Sequence, residues 1–373
     1  MKILSPLMKK SVCYLVFLLL IAACGKDLCT MEGTIAEGET FPEGQLVYLI
    51  SWDADKDESI VLDSTVVVNG HFTLKAPADP WTGYSIRANY RNRSSDDYSW
   101  RYSIIPEQGT VKFIFASEWE DCAIEEGPLN KAQDEYNKIV FALHDEYLKI
   151  TSSSPSVSED LHEWAQNSKD IYLPVIEQNR DNIVGAYALL QVMDYLSLEE
   201  IDSILAQCHP MVAKNEAIVE ERNIRLAEKE TSESKPFMDF SGKTPEGADI
   251  RLSDYVGKGR WVLVEFWASW CGVCMDQLPN IKRTHETLSE DNFTVLGVAV
   301  WDGDNTASAA CMKEKGMTWP QIFVGEDPTA AEIYGLSGVP AFILFAPDGT
   351  IYNRDNGLRG KQMTETIRDI INQ

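Results

Sequence analysis

Apolar and polar positions follow three rhythms along this chain of 373 residues. From Thr30 to about Cys122 the apolar residues come in short runs, "GQLVYLISW", "SIVLDSTVVVNGHFTLKA", "GYSIRANY" and "TVKFIFA", separated by turn residues. Runs rich in Val, Ile, Thr, Tyr and Phe predict strands. Asn69-Gly70 between two such runs is a strong hairpin signal, because both residues accept the positive φ of a tight turn. This region predicts a β-sandwich.

From Pro128 to about Glu230 the period lengthens. Tyr136, Val140, Leu143 and Tyr147 recur at helical spacing, as do Leu161, Trp164, Ser168, Ile171 and Val175, and "SLEE" from Ser197 has the form of a capping box. Roughly four or five helices are predicted. "EKETSESKP", charged and ending in Pro, reads as a linker. Beyond it, "FSGKTPEGADIRLSDYVGKGR" predicts a hairpin and turn, Trp261 to Trp267 a buried strand, and the residues after it a helix to about Ser289. "FTVLGVAVW" predicts a strand, "NTASAACMKEKG" and "AEIYGL" helices, "AFILFAPDGTIYN" a hairpin and "KQMTETIRDIIN" a closing helix. The expected segments are 1–23 (signal peptide), 24–29 (tether), 30–125 (β-sandwich), 126–227 (helical region), 228–236 (linker) and 237–373 (thioredoxin-like α/β fold).

Charge narrows the function classes. With 58 acids against 33 bases the formal net charge is −25, which argues against nucleic acid and against electrostatic binding to anionic lipid. Lys2, Lys9 and Lys10 precede an apolar run at 12–23, short for a bilayer span but suited to a signal-peptide core. The run ends Ile21-Ala22-Ala23-Cys24, which resembles a bacterial lipobox. The resemblance implies acylation of Cys24, and Gly25, in place of the Asp that retains lipoproteins at the inner membrane, implies an outer-membrane anchor facing the periplasm.

The candidate chemistry sits in "WVLVEFWASWCGVC". In an oxidising compartment cysteines usually pair as staples, yet a disulfide from Cys271 to Cys274 closes almost no loop and stabilises little. Its reason is therefore redox chemistry. Cys271 at a helix N-terminus has a lowered thiol pKa and attacks a substrate disulfide; Cys274, one turn along, resolves the mixed disulfide. Zinc would need four ligands and no second close pair or His partner accompanies these two, so neither metal nor cofactor is expected. His144, His162 and His209 lack ligand spacing, and Ser269 before a dithiol does not match the single activated cysteine of a peroxiredoxin. Cys29 and Cys122 bracket the β-rich region and are candidates for a staple; Cys311 reads as core.

"FWASWCGVC", Pro279, Gly338-Val339-Pro340 and the "PDGTI" hairpin together resemble thiol:disulfide oxidoreductases of the TlpA/ResA type, related to the AhpC/TSA and redoxin families. "VLDSTVVVNGHFTLKA" resembles the β-rich domain of unknown function ahead of thioredoxin folds in Bacteroidetes-type lipoproteins. The first resemblance implies a cis-proline at Pro340 beside the dithiol, with the Val339 backbone free for an extended substrate, and a substrate surface around Trp270, Gly272 and Val273. It also aligns Glu265 with the buried acid of thioredoxin, where burial would raise the pKa and make a proton acceptor for Cys274; the alternative is a strand-edge acid reaching solvent. Trp267 packs under the disulfide or simply in the core. Val273 replaces the usual proline and Gln277 a frequent Glu, which leaves the redox direction open over a range of about 150 mV. The expected partners are protein disulfides of the cell envelope and, as electron donor, a membrane thiol reductase of DsbD type. The alternative is an envelope-binding lipoprotein whose thioredoxin fold only presents a surface.

Overall fold

The computed structural model describes residues 28–39, 41–53, 58–89, 99–116, 121–153, 157–288, 292–303, 305–354 and 357–372. The expected signal peptide, Cys24 and most of the expected tether lie outside the described residues. The tether ends sooner than expected: Leu28 and Cys29 already belong to the first strand, and Cys29 is buried in its core.

Among the described residues, eight strands precede the helices: β1 (Leu28–Ile35), β2 (Leu46–Asp53), β3 (Glu58–Val66), β4 (His71–Pro77), β5 (Tyr84–Asn89), β6 (Ser99–Ile104), β7 (Gly109–Phe115) and β8 (Ala123–Glu126). They form two four-stranded sheets ordered β4-β1-β7-β8 and β3-β2-β5-β6. Alternation along each strand sends one set of side chains inward. Met31, Leu74 and Phe113 from the first sheet meet Leu49, Ile86 and Ile104 from the second in one buried cluster, with the Tyr102 and Phe113 rings stacked at 5.8 Å.

The Asn69-Gly70 turn forms with both φ angles positive, and Val68 and His71 exchange two backbone hydrogen bonds across it. The hairpin goes no further. β3, mostly exposed, pairs with β2 in one sheet, whereas β4 must bury Phe72, Leu74 and Ala76 and pairs with β1 in the other. A local turn thus becomes a crossing between layers. The candidate staple does not form: Cys29 and Cys122 are both buried, and neither is in a disulfide. Burial and then Glu107 push the Cys29 thiol up to about 12, and burial pushes Cys122 up to about 11.

Helices follow over α1 (Pro128–Ser153), α2 (Val157–Gln178), α3 (Ile183–Val192), α4 (Leu198–Leu205), α5 (Pro210–Ala213) and α6 (Glu216–Glu230). On α2 the buried stripe runs through Ser168, Tyr172 and Ile176, leaving Ile171 exposed, one position off the expected stripe. The reason is Tyr172, whose ring packs 6.3 Å from that of Tyr136 on α1 and takes the inner face. No helix of the described residues is long and apolar enough to cross a membrane.

The C-terminal unit continues with β9 (Ser241–Lys243), β10 (Asp249–Arg251), β11 (Trp261–Trp267), α7 (Gly272–Leu288), β12 (Phe293–Val300), α8 (Asn305–Lys315), β13 (Gln321–Gly325), α9 (Thr329–Tyr334), β14 (Ala341–Phe345), β15 (Ile351–Arg354) and α10 (Met363–Ile371). Its seven strands make a mixed sheet ordered β10-β9-β13-β12-β11-β14-β15, the thioredoxin-like arrangement expected. The central strands are apolar on both faces because both faces are covered. Leu263, Trp267, Val295, Ala299, Phe342 and Leu344 pack toward α7 and α10, and Val262, Val264, Phe266, Leu296 and Ile343 toward α9.

The expected boundary between the helical region and the linker moves. α6 folds with the C-terminal unit, and residues 228–236 are no free connector. Glu228 to Glu230 complete α6, Thr231 is buried, Ser234 donates to the Ile351 carbonyl, and the Ile351 amide donates to the Lys235 carbonyl. Gly335, left-handed at the end of α9, lets α6 approach so closely that a Cβ there would lie 2.6 Å from the Ile224 carbonyl oxygen. Arg354 closes this junction, donating to the carbonyl and hydroxyl oxygens of Thr231 and, at 2.7 Å, to the Tyr334 carbonyl. Arg354→Ala is expected to destabilise the protein by about 2 kcal/mol, the loss of charge-assisted bonds to groups that stay buried. Denaturant titration measures this, and hydrogen exchange should show early opening at 228–235.

Candidate active site

The dithiol lies where strand becomes helix. β11 ends at Trp267; Ser269 is then held by Asp302, a buried acid beyond β12, which accepts from the Ser269 amide at 3.0 Å and from its hydroxyl at 2.8 Å. The Ser308 hydroxyl donates to the same carboxylate at 2.5 Å. This clamp turns the chain so that Cys271 precedes the first turn of α7. Cys271 and Cys274 form a disulfide with their Cα atoms 5.3 Å apart.

The two sulfurs are not equivalent. Cys274 is fully buried, while Cys271 keeps 6 % exposure among Trp270 (65 %), Gly272 and Val273 (59 %) on the surface. The Cys274 amide donates to Cys271 Sγ at 3.1 Å, a contact that would stabilise a thiolate there. Cys271 Sγ also lies 3.5 Å from the Val339 carbonyl oxygen. The Val339–Pro340 bond is cis, and Arg359, lying 5.9 Å over the Phe342 ring, donates to the Pro340 carbonyl at 2.8 Å and fixes the loop. Gln277 Oε1 accepts from the Gly360 amide at 2.9 Å. The site is thus closed by segments 338–342 and 358–361, far from the cysteines in sequence.

Glu265 is fully buried and does not reach solvent at a strand edge. It shares the parity of Leu263 and Trp267, so it points to the face that carries Cys271 and Cys274. Burial raises its pKa from the ordinary carboxylate range to about 8, and neither oxygen finds a hydrogen bond among the described residues. Trp267 is buried in the same cluster, its Nε1–H donating to Gln321 Oε1 at 3.0 Å. Trp270 lies on the surface, its Nε1–H on the Trp301 carbonyl at 3.1 Å. Cys311, a free thiol in the same core, donates to Met275 Sδ at 3.7 Å.

Sequence reading missed Asp302, Gln321 and Arg359. Gln321 did leave a signal, a polar residue opening the apolar run "QIFVG", of the same kind that singled out Glu265. Asp302 and Arg359 left none, because each acts on backbone or hydroxyl groups supplied by distant segments.

Residues 234–354 match the AhpC/TSA family and residues 29–133 a domain of unknown function, DUF4369. Thiol-disulfide oxidoreductase ResA of Bacillus subtilis is 26% identical over 150 residues, 40% of this chain and 82% of that protein. ResA of Geobacillus thermodenitrificans is 27% identical over 125 residues, 33% of this chain and 69% of that protein. Among solved structures, the thioredoxin domain of a thiol-disulfide oxidoreductase from Bacteroides vulgatus matches with 25% identity and a TM-score of 0.35, covering 38% of this chain and 98% of that one. Residues 234–354 thus carry an AhpC/TSA thioredoxin-fold domain behind a DUF4369 domain, and over that C-terminal domain the chain is similar to thiol-disulfide oxidoreductases of the ResA type.

Proposed function

We propose that the protein is a lipid-anchored reductase of protein disulfides in the cell envelope, working through Cys271 and Cys274. The observation that carries this reading is the asymmetry of the pair: a slightly exposed sulfur that accepts a backbone N–H at a helix start, and a fully buried partner in the core on the sheet face that also carries the buried acid Glu265.

In the reduced protein the Cys271 thiolate attacks a substrate disulfide. A new S–S bond joins Cys271 to the substrate, and the first substrate sulfur leaves as a thiolate that takes a proton from solvent. Glu265 then takes the proton of Cys274. The Cys274 thiolate attacks Cys271 Sγ, closes the disulfide and expels the second substrate thiolate, so two electrons have passed from the dithiol to the substrate. An extended substrate segment lies along the Val339 backbone ahead of Pro340, against the apolar surface of Trp270, Gly272 and Val273. A membrane thiol reductase of DsbD type returns the two electrons. Cys24 carries the acyl anchor and holds the protein at the outer membrane, facing the periplasm.

Turnover of insulin disulfides with a small-molecule thiol as donor tests the enzyme reading. The wild type should clearly exceed Cys271→Ala, and equal rates would assign the fold to binding alone. A reductase should also show a reduction potential nearer about −270 mV than about −120 mV, measured against a glutathione buffer. For the anchor, intact mass of the membrane fraction should show a chain beginning at Cys24 with an acyl adduct; a soluble chain starting elsewhere would refute it.

A further inference from the structure

Three positions stand in register across neighbouring strands. Glu265 of β11 lies opposite Gly297 of β12, and Gly297 opposite Gln321 of β13. By strand parity all three share the face on which Trp267, Val295, Phe323 and Phe342 pack around the dithiol. Gly297 leaves that face open, and the Gln321 amide lies over it: a Cβ at Gly297 would stand 2.1 Å from Gln321 Oε1 and 2.6 Å from Nε2.

Trp267 decides which way this amide points. An indole N–H can only donate, so the atom it meets at 3.0 Å is the amide oxygen, and the two Nε2 hydrogens point elsewhere. Nε2 then has no acceptor in the described residues although Gln321 is only 3 % exposed, just as the two oxygens of Glu265 have no donor. Unpaired buried polar groups are rare because each keeps its full desolvation cost. Here a spare donor and a spare acceptor occupy the same sheet face, and the strand position between them is Gly297, which has no side chain.

We propose that Gln321 is a positioning residue for Glu265: its Nε2–H donates through one buried water to one carboxyl oxygen, and leaves the other oxygen for the proton of Cys274. The inference rests on the reading of Glu265 as proton acceptor. Trp267 orients the amide, Gly297 makes room for it, and the bond favours the ionised carboxylate that can take a proton. The other titratable groups of this cluster are Cys271, Cys274 and Cys311, with His285 against Trp319 and Asp302 held by Ser269 and Ser308. With the disulfide closed, Cys271 and Cys274 do not titrate, so the oxidised protein frees the measurement from both.

The test is an infrared titration of the carboxyl C=O band in the oxidised full-length protein, the band being assigned by its loss in Glu265→Gln. Gln321→Met, which keeps volume and removes the donor, should raise the midpoint by about one pH unit, a tenfold change in proton affinity, and move the band to higher frequency. Should that variant fail to fold, Gly297→Ala, which keeps both Glu265 and Gln321 in the sequence but displaces the Gln321 amide, should move the midpoint in the same direction. In mixed-disulfide resolution, Gln321→Met should slow the wild type but add nothing in the Glu265→Gln background. An unmoved midpoint in the folded variants, or an equal kinetic effect with and without Glu265, overturns the proposal. The carboxyl titration needs no substrate, so a wild type that exchanges no disulfides would remove the proposed function and leave Gln321 to be judged by the midpoint alone.

Discussion

Glu265→Gln is expected to slow release of a mixed disulfide by about 10²–10⁴, the range of a positioned acid–base group, while leaving the first attack by Cys271 nearly unchanged. Gln has the shape of Glu but cannot take the proton of Cys274, and Cys271 attacks as a thiolate already favoured by the Cys274 amide at 3.1 Å. Stopped-flow measurement separates the two steps, and unchanged resolution would assign Glu265 to structure alone. The same variant should be more stable, with a sign fixed by linkage. The folded pKa of about 8 lies above the unfolded value of about 4.3, so ionisation opposes folding. The cost is absent below about pH 4, grows as pH rises toward the folded value and is constant above it. At pH 7 it is on the order of 3 kcal/mol, less whatever the buried Gln amide itself costs. Thermal melts of the oxidised proteins should therefore differ by the equivalent of about 1 kcal/mol at pH 5 and several times more at pH 8, with Glu265→Gln the higher. A residue that costs stability and supports turnover is retained for chemistry.

Cys274→Ser should abolish multiple turnover and accumulate mixed disulfides with substrate proteins, because Cys271 can still attack and nothing resolves the bond. Cys271→Ser should abolish turnover without trapping: Cys274 has no exposed surface, and a substrate sulfur cannot come in line with it. Non-reducing gels after rapid acid quenching distinguish the variants, and trapping by Cys271→Ser instead would reverse the roles. In the trapped species Trp270 and Val273, the exposed apolar residues beside Cys271, should lose solvent contact.

The sequence by itself determined the parts whose signals are local. A switch of apolar period from two to helical spacing marked the β-rich, helical and α/β regions, and two cysteines at a strand-to-helix boundary marked the dithiol, because strand alternation, helix spacing and turn chemistry act over a few residues. An acid inside "WVLVEFW" stood out for the same reason, while its burial, against a strand-edge acid reaching solvent, was left to the fold. Only the tertiary structure decided the pairings. It sent β3 and β4 into different sheets despite the Asn69-Gly70 turn, left Cys29 and Cys122 without a disulfide, and joined α6 to the C-terminal unit through Thr231, Arg354 and Gly335. Around the dithiol it brought Asp302 to Ser269, Arg359 to the Pro340 carbonyl and Gln321 over Gly297, next to Glu265. Those contacts join residues far apart in the chain, and they depend on strand register and close packing, which are settled only when the whole core is buried at once.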